Sequence, residues 1–157
     1  MKILLIGSNG QLGYDFQELF KNLNIEYIAA DYEELNIAND TDIENFFRKN
    51  NNFTHIINCA AYNDVDKAEN DTEQCIKINE EAPLTITRYA KNMGAVFITY
   101  SSDFVFNGLL TSYLYGDTTG YTEEDEPHPL STYAKAKYEG ELLVSQVMAN
   151  PELTSKM

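Results

Sequence analysis

The sequence predicts an α/β fold, a doubly wound parallel sheet, and three observations carry that prediction. Residues 2–7 form a continuous apolar run too short for a helix, the mark of a strand buried on both faces as in parallel sheets. Segments of helical periodicity then alternate with short apolar runs, the β-α-β order that builds such a sheet. A glycine-spaced turn separates the first strand from the first helix, at the edge where open α/β sheets bind ligands.

In chain order, Phe16, Leu19, Phe20 and Leu23 fall at helical spacing, and residues 26–30 read as the second strand, ended by Asp31. Residues 42–50 form the next helix with Ile43, Phe46 and Phe47 inward, and residues 55–60 the third strand. From about Asp66 to Met93 the pattern is one broken helix or two, with Pro83 in a first turn and Gly94 closing it. Residues 95–100 are a fourth strand, and right-handed crossovers connect the parallel strands. Residues 107–130 are a long loop rich in Gly, Thr, Tyr and acidic side chains, and Thr132 to Met148 is the last helix. No internal repeat is present, and the acidic stretch 123–126 reads as solvated loop.

Composition narrows the function. The 157 residues are 43% hydrophobic and 12% aromatic, enough for one domain with a core and against whole-chain disorder. The formal charge is −14, which repels phosphate backbones and anionic membrane surfaces and argues against nucleic-acid and peripheral-membrane roles. No apolar run approaches the roughly 20 residues that span a bilayer, and the N-terminus lacks the pattern of a signal peptide. A cytoplasmic protein is expected. Cys59 and Cys75 have no CxxC context, so free buried thiols are expected rather than a disulfide or a zinc site, and no metal ligands are assigned.

Gly7-Ser-Asn-Gly10-Gln-Leu-Gly13 has the spacing that allows a tight turn, close approach of a pyrophosphate and tight helix packing. Asp31 stands about where an acid accepts hydrogen bonds from an adenine ribose. Together they predict dinucleotide binding. No Lys or Arg occurs between Ser8 and Glu18, nor between Asp31 and Arg48, so a 2′-phosphate has no cationic partner. NADH is favoured over NADPH. Tyr133 and Lys137 share one face at the start of the last helix, where an ammonium can draw a phenol's pKa toward neutrality. Ser102 and Asp103 follow the fourth strand, where a hydroxyl can donate to a substrate carbonyl oxygen. Taken singly, each also fits a plainer role: a packed turn for the glycines, turn-forming serines, and a cap for Asp103.

These motifs occur with Asn58-Cys-Ala-Ala-Tyr-Asn-Asp-Val-Asp66, Tyr100-Ser-Ser-Asp-Phe-Val-Phe-Asn-Gly108, Tyr121-Thr-Glu-Glu-Asp-Glu-Pro-His-Pro-Leu130 and Tyr133-Ala-Lys-Ala-Lys-Tyr-Glu-Gly-Glu141. As a set they resemble the extended short-chain dehydrogenase/reductases, and more narrowly the dTDP-4-dehydrorhamnose reductase family, collinearly over about residues 1–145. The resemblance implies a Rossmann-like domain over residues 1–148, followed by a short tail over 149–157. It implies an NADH- or NADPH-dependent reduction of the 4-keto group of dTDP-4-dehydro-L-rhamnose, a nucleotide sugar. Carried over, Tyr133 is the proton donor, Lys137 holds the nicotinamide ribose, and Ser102 stands where threonine is usual. Ser102 and Asp103 touch the sugar. Gly7, Gly10, Gln11, Leu12 and Gly13 form the pyrophosphate loop, Asp31 faces the adenine ribose, and Asn36 and Ile37 lie by the adenine. Ala60, Ala61, Tyr62 and Asn63 line the nicotinamide side.

Asn36 and Asn63 replace the aspartate and threonine common in that family, and the 108–121 loop, with Tyr113, Leu114 and Tyr115, is longer. Family members continue for roughly as many residues again. The expectation is therefore a fold truncated before a C-terminal substrate domain, with impaired activity and with Leu142, Leu143 and Val147 exposed. Either a homodimer or a chain supplying the missing lobe would be its partner. A second expectation is a non-catalytic dinucleotide-binding regulatory subunit, similar to the β subunit of methionine adenosyltransferase. A third is a residual fold with no ligand.

Overall fold

The computed structural model describes residues 1–109 and 120–150; Tyr113, Leu114, Tyr115 and the tail from Pro151 lie outside them. Four parallel strands, β1 (Ile3–Ile6), β2 (Tyr27–Ala30), β3 (His55–Asn58) and β4 (Val96–Thr99), lie in the order β2-β1-β3-β4. β1 is bonded on both sides, Ile3 level with Tyr27 and His55, Ile6 with Ala30 and Asn58. The α/β sheet predicted from the first apolar run is the sheet observed.

Strand alternation explains why that run is unbroken. Ile3 and Leu5 face Phe16 and Phe20 of α1 (Gln11–Asn22), with Ile57 beside them. Leu4 and Ile6 face the opposite layer, packing with Ile43 and Phe47 of α2 (Asp40–Lys49) and with Ile86 and Ala90 of α5 (Ala82–Met93). A strand covered on both faces has no polar side to show. Asn39 starts α2 by accepting from the Thr41 and Asp42 N–H groups at 2.9 and 3.3 Å. Gly94 ends α5 in the left-handed conformation at φ 66°, and Ala95 N–H then closes the turn on Ala90 O at 2.8 Å.

The stretch read as one broken helix or two is three helices, with a break at residues 69–71 after the first and none between the other two. α3 (Val65–Ala68) and α4 (Thr72–Ile76) are short, and α4 runs through one π-helical turn (Lys77–Glu81) directly into α5. A π turn inserts an extra residue and shifts the buried face, which a 3.6-residue periodicity cannot register. Pro83 occupies the first turn of α5 as expected. After β4 a 3₁₀ turn (Asp103–Val105) precedes the loop, and α6 (Thr132–Ala149) packs along α5 and across the π turn.

Val147 departs from expectation. It is 2% exposed, because α6 lies against α5 and because Lys91 of α5 donates to the carbonyls of Val147 and Asn150. Leu142 and Leu143 are half-buried. The edge strand β4 does expose apolar side chains, Val96 at 51% and Ile98 at 37%. Among the described residues, no helix is long and apolar enough to cross a membrane.

At Gly140, α6 crosses the π turn so closely that a Cβ would stand 2.2 Å from Asn79 O. Gly140→Ala is therefore expected to lower stability by about 1–3 kcal/mol through overpacking, although alanine is the better helix former. Thermal unfolding checks this, with Glu139→Ala as the solvent-facing comparison.

Candidate functional site

The chain leaves β1 through Gly7, at φ +72°, where a Cβ would stand 2.5 Å from Ala60 N. Only glycine fits between the ends of β1 and β3. At Gly13 a Cβ would stand 2.2 Å from Gly7 O, so the first turn of α1 lies directly on the loop. Gly10 differs: its Cβ would make one ordinary contact, 3.4 Å from Gly7 O. The protein itself does not require glycine there, whereas close approach of a ligand would. Gly10 caps α1 without a side chain, and the first turn holds no acid. Its backbone N–H groups and positive dipole end are therefore available to an anion, beside exposed Gln11 and Leu12.

Asp31 meets this loop from the end of β2. Its carboxylate accepts from Asn9 N–H at 2.7 Å and Tyr32 N–H at 2.8 Å. The residue predicted to face a ribose thus also ties the glycine loop to β2, and each oxygen keeps a second lone pair. Asp31, Asn36, Ile37, Gly7, Ala60 and Ala61 border one cleft of about 120 Å³. The family resemblance implies one ligand for these residues, which come from separate segments of the chain.

Tyr62, in the segment after β3, is held by a residue that sequence reasoning missed. Asn79, 3% exposed, accepts from Tyr62 N–H at 2.9 Å and donates to Tyr62 O at 3.0 Å. An internal carboxamide pairing both backbone groups of one residue fixes that loop as a strand neighbour would. Nothing local marks Asn79, since its partner lies 17 residues away. The Tyr62 hydroxyl donates to Asp71 at 3.1 Å, and Asn63 is exposed.

The start of α6 carries the predicted catalytic pair. Ser131 caps it, accepting from Ala134 N–H at 3.1 Å, and Glu69 accepts from both Thr132 N–H and Thr132 Oγ1 at 2.8 and 2.9 Å. Tyr133 is 7% exposed among Ala68, Cys75 and Ala136, with the Phe104 ring edge-on at 5.9 Å. Phe104 N–H donates to Ser102 Oγ at 3.2 Å, so Ser102 caps the 3₁₀ turn that carries Phe104. Lys137 is 8% exposed and donates to Tyr100 O. Burial pushes its ammonium below the ordinary lysine value, opposed by the charge of Glu141. Ser102 and Asp103 border an adjoining hollow of about 400 Å³ with Tyr121.

Cys75 is buried as expected, while Cys59 is half-buried, its thiol pushed up to about 11 by burial. Among the described residues, no group of three or more His, Cys, Asp or Glu is arranged to hold a metal ion.

A glycine cradle at one end of a parallel sheet, with a tyrosine and a buried lysine one turn apart on a neighbouring helix, defines a class, the short-chain dehydrogenase/reductases. Within it, the model of the RmlD substrate binding domain matches residues 1–153, and the chain belongs to that family. It is 34% identical over 147 residues to a dTDP-4-dehydrorhamnose reductase of Aggregatibacter actinomycetemcomitans, covering 91% of this chain and 46% of that protein. A dTDP-4-dehydrorhamnose reductase of Clostridium acetobutylicum superposes with a TM-score of 0.83 at 38% identity, covering 93% of this chain and 49% of that one. The Bacillus anthracis reductase in complex with NADP gives 0.81 at 29% identity, covering 92% and 49%. The chain spans about half the length of the curated relatives it matches.

Asn79→Ala leaves the half-buried N–H and C=O of Tyr62 without their partners, at a cost of about 1–3 kcal/mol. Faster hydrogen exchange at the Tyr62 amide, beyond that of the global unfolding change, is the expected signature. Glu69 gives a pH dependence. Its bonds from Thr132 hold its carboxyl below the ordinary value, so its stabilisation is full above the unfolded value and is lost as pH falls through the lower folded one. The difference in melting temperature between wild type and Glu69→Gln should therefore shrink across the acid range.

Proposed function

We propose that this domain binds a nicotinamide dinucleotide and carries the proton-donating half of a nucleotide-sugar ketone reduction, that of dTDP-4-dehydro-L-rhamnose to dTDP-L-rhamnose. The observation that supports it best is a lysine buried to 8% exposure one helical turn beyond Tyr133, in a chain of this family. The cleft fits the cofactor, because Gly7 and Gly13 leave no room for side chains and Gly10 is open. Residues 1–148 form the dinucleotide-binding domain, in an enzyme of the cytoplasm.

Gly10, Gln11 and Leu12 hold the pyrophosphate on the dipole end of α1, and Asp31 accepts from the adenine ribose. Asn36 and Ile37 flank the adenine, and Ala60, Ala61, Tyr62 and Asn63 line the nicotinamide side. When bound, the reduced nicotinamide supplies hydride to the carbonyl carbon. The Tyr133 hydroxyl gives its proton to the carbonyl oxygen, while Lys137 holds the nicotinamide ribose and stabilises the phenolate left behind. Ser102 Oγ, with Asp103 beside it, donates to the same oxygen as charge develops. The carboxylates around the cleft favour NADH over NADPH. The rest of the nucleotide sugar requires residues beyond this domain, from a second copy or a C-terminal lobe.

Calorimetric titration with NADH and, separately, NADPH tests the reading. Micromolar binding, tighter for NADH and abolished by Gly10→Val, is expected. No binding of either would overturn it. With dTDP-4-dehydrorhamnose, Tyr133→Phe should cut turnover about 10²–10⁴-fold while binding persists. Binding with no turnover in an intact assembly would favour the regulatory subunit instead.

A further inference from the structure

Two consecutive residues after β4 grip two residues of α6 that stand one turn apart. Tyr100 O accepts from the Lys137 ammonium, and the Ser101 hydroxyl donates to Glu141 Oε2 at 2.9 Å. Positions 137 and 141 share one helix face. All four residues border a single cavity of about 120 Å³, with Asn79 and Gly140 on its other wall. Among the described residues, Lys137 is the only charged side chain that is buried. An ammonium has three donors and no acceptor, and here one protein oxygen receives it. Burial of such a group requires a compensating charge nearby.

We propose that Glu141 is a positioning residue for Lys137, its carboxylate fixed by the Ser101 hydroxyl so that it supplies the counter-charge for the buried ammonium. Lys137 then stays cationic and aimed along the cavity wall made by Tyr100. The inference deepens the site proposed above and rests on that reading for its functional meaning. The neighbouring groups do not supply the same charge. Cys75 of α4 is a buried thiol whose titration is pushed upward, and Tyr100 is likewise pushed upward by burial. Glu80 of the π turn is set against Glu139 and shifted upward, chiefly by burial. Glu69 is engaged with Thr132. Burial drives Lys137 toward neutrality, and Glu141 is the largest opposing influence.

The test is a pH titration of the Lys137 ¹³Cε and ¹⁵Nζ resonances in the intact chain, assigned by their loss in Lys137→Arg. Glu141→Gln keeps an acceptor for Ser101 and removes the charge, and should lower the midpoint by about 1 pH unit. Ser101→Ala frees the carboxylate and should move the midpoint less, in the same direction. Glu139→Gln, one residue away, should leave it unchanged. An unmoved midpoint in Glu141→Gln, or an equal shift in Glu139→Gln, overturns the proposal. Amide spectra establish that each variant is folded, and should Glu141→Gln not fold, an unmoved midpoint in Ser101→Ala overturns the proposal instead. The titration needs no dinucleotide, so failure of wild-type NADH binding would overturn the function above and leave this result standing. Where NADH binds, Glu141→Gln should weaken it several-fold above the new midpoint and recover below it, a pH rescue that a purely structural defect would not give.

Discussion

The contact between the ends of β1 and β3, backbone against backbone at Gly7 and Ala60, sets where the rest of the molecule can stand. A side chain at Gly7 would need space already held by the Ala60 peptide nitrogen. Ile6 O accepts from Cys59 N–H, and Gly7 N–H donates to Ala30 O, both at 2.9 Å. The carboxyl ends of β1, β2 and β3 are thereby drawn level, and the loops leaving them meet at one edge. Three segments distant in the chain become three walls of one cleft, as is general for open parallel sheets at the point where strand order reverses.

A second contact of the same kind organises the other half of the site. α6 reaches the π turn at Gly140, where only a missing Cβ lets the helix approach Asn79 O. That approach puts Lys137, three residues earlier on the same side of α6, into a space lined by Asn79 and Tyr100. The Asn79 side chain is meanwhile turned the other way, onto Tyr62. One residue thus joins the two halves, its carbonyl against the helix that carries Tyr133 and Lys137, its carboxamide on the loop that follows β3. A loop held by two hydrogen bonds to a buried amide is more rigid than an exposed connection of the same length.

The sheet and the glycine loop were legible because their causes are local: an apolar run for a strand covered twice, a glycine where no Cβ fits. The Tyr133 and Lys137 pair was legible because helix geometry alone puts those positions on one face. Asn79 was not, since its meaning is a pairing with Tyr62 that no spacing rule encodes. Gly140 was equally opaque, because its approach to Asn79 O depends on a π turn that no spacing rule encodes. The exposure expected of Val147 failed because a helix's apolar face does not announce which neighbour covers it. Here α5, earlier in the chain, already does. Asp31 was half-read: its place at the end of β2 is a sequence pattern, but its grip on Asn9 N–H depends on the fold of the glycine loop.

Charge is the remaining constraint, because a chain of formal charge −14 is a poor host for an anion at long range. Screening reduces that penalty, since the Debye length at physiological salt is about 8 Å. Within that distance of the α1 N-terminus, the arrangement is selective. The first turn of α1 has no acid and no side-chain cation, so a pyrophosphate there would be attracted by backbone N–H groups and the helix dipole, while the Asp31 carboxylate on Asn9 N–H opposes it. A further phosphate on the adenine ribose would meet a different surface. It would face Asp31 at the cleft, and beyond Asn36 a groove where Lys49 stands among Glu33, Glu34 and Asp42. Like charges at such spacing oppose binding. Asp31, at the end of β2, is thus the carboxylate on which the proposed preference for NADH turns, with Lys49 of the neighbouring groove acting against it.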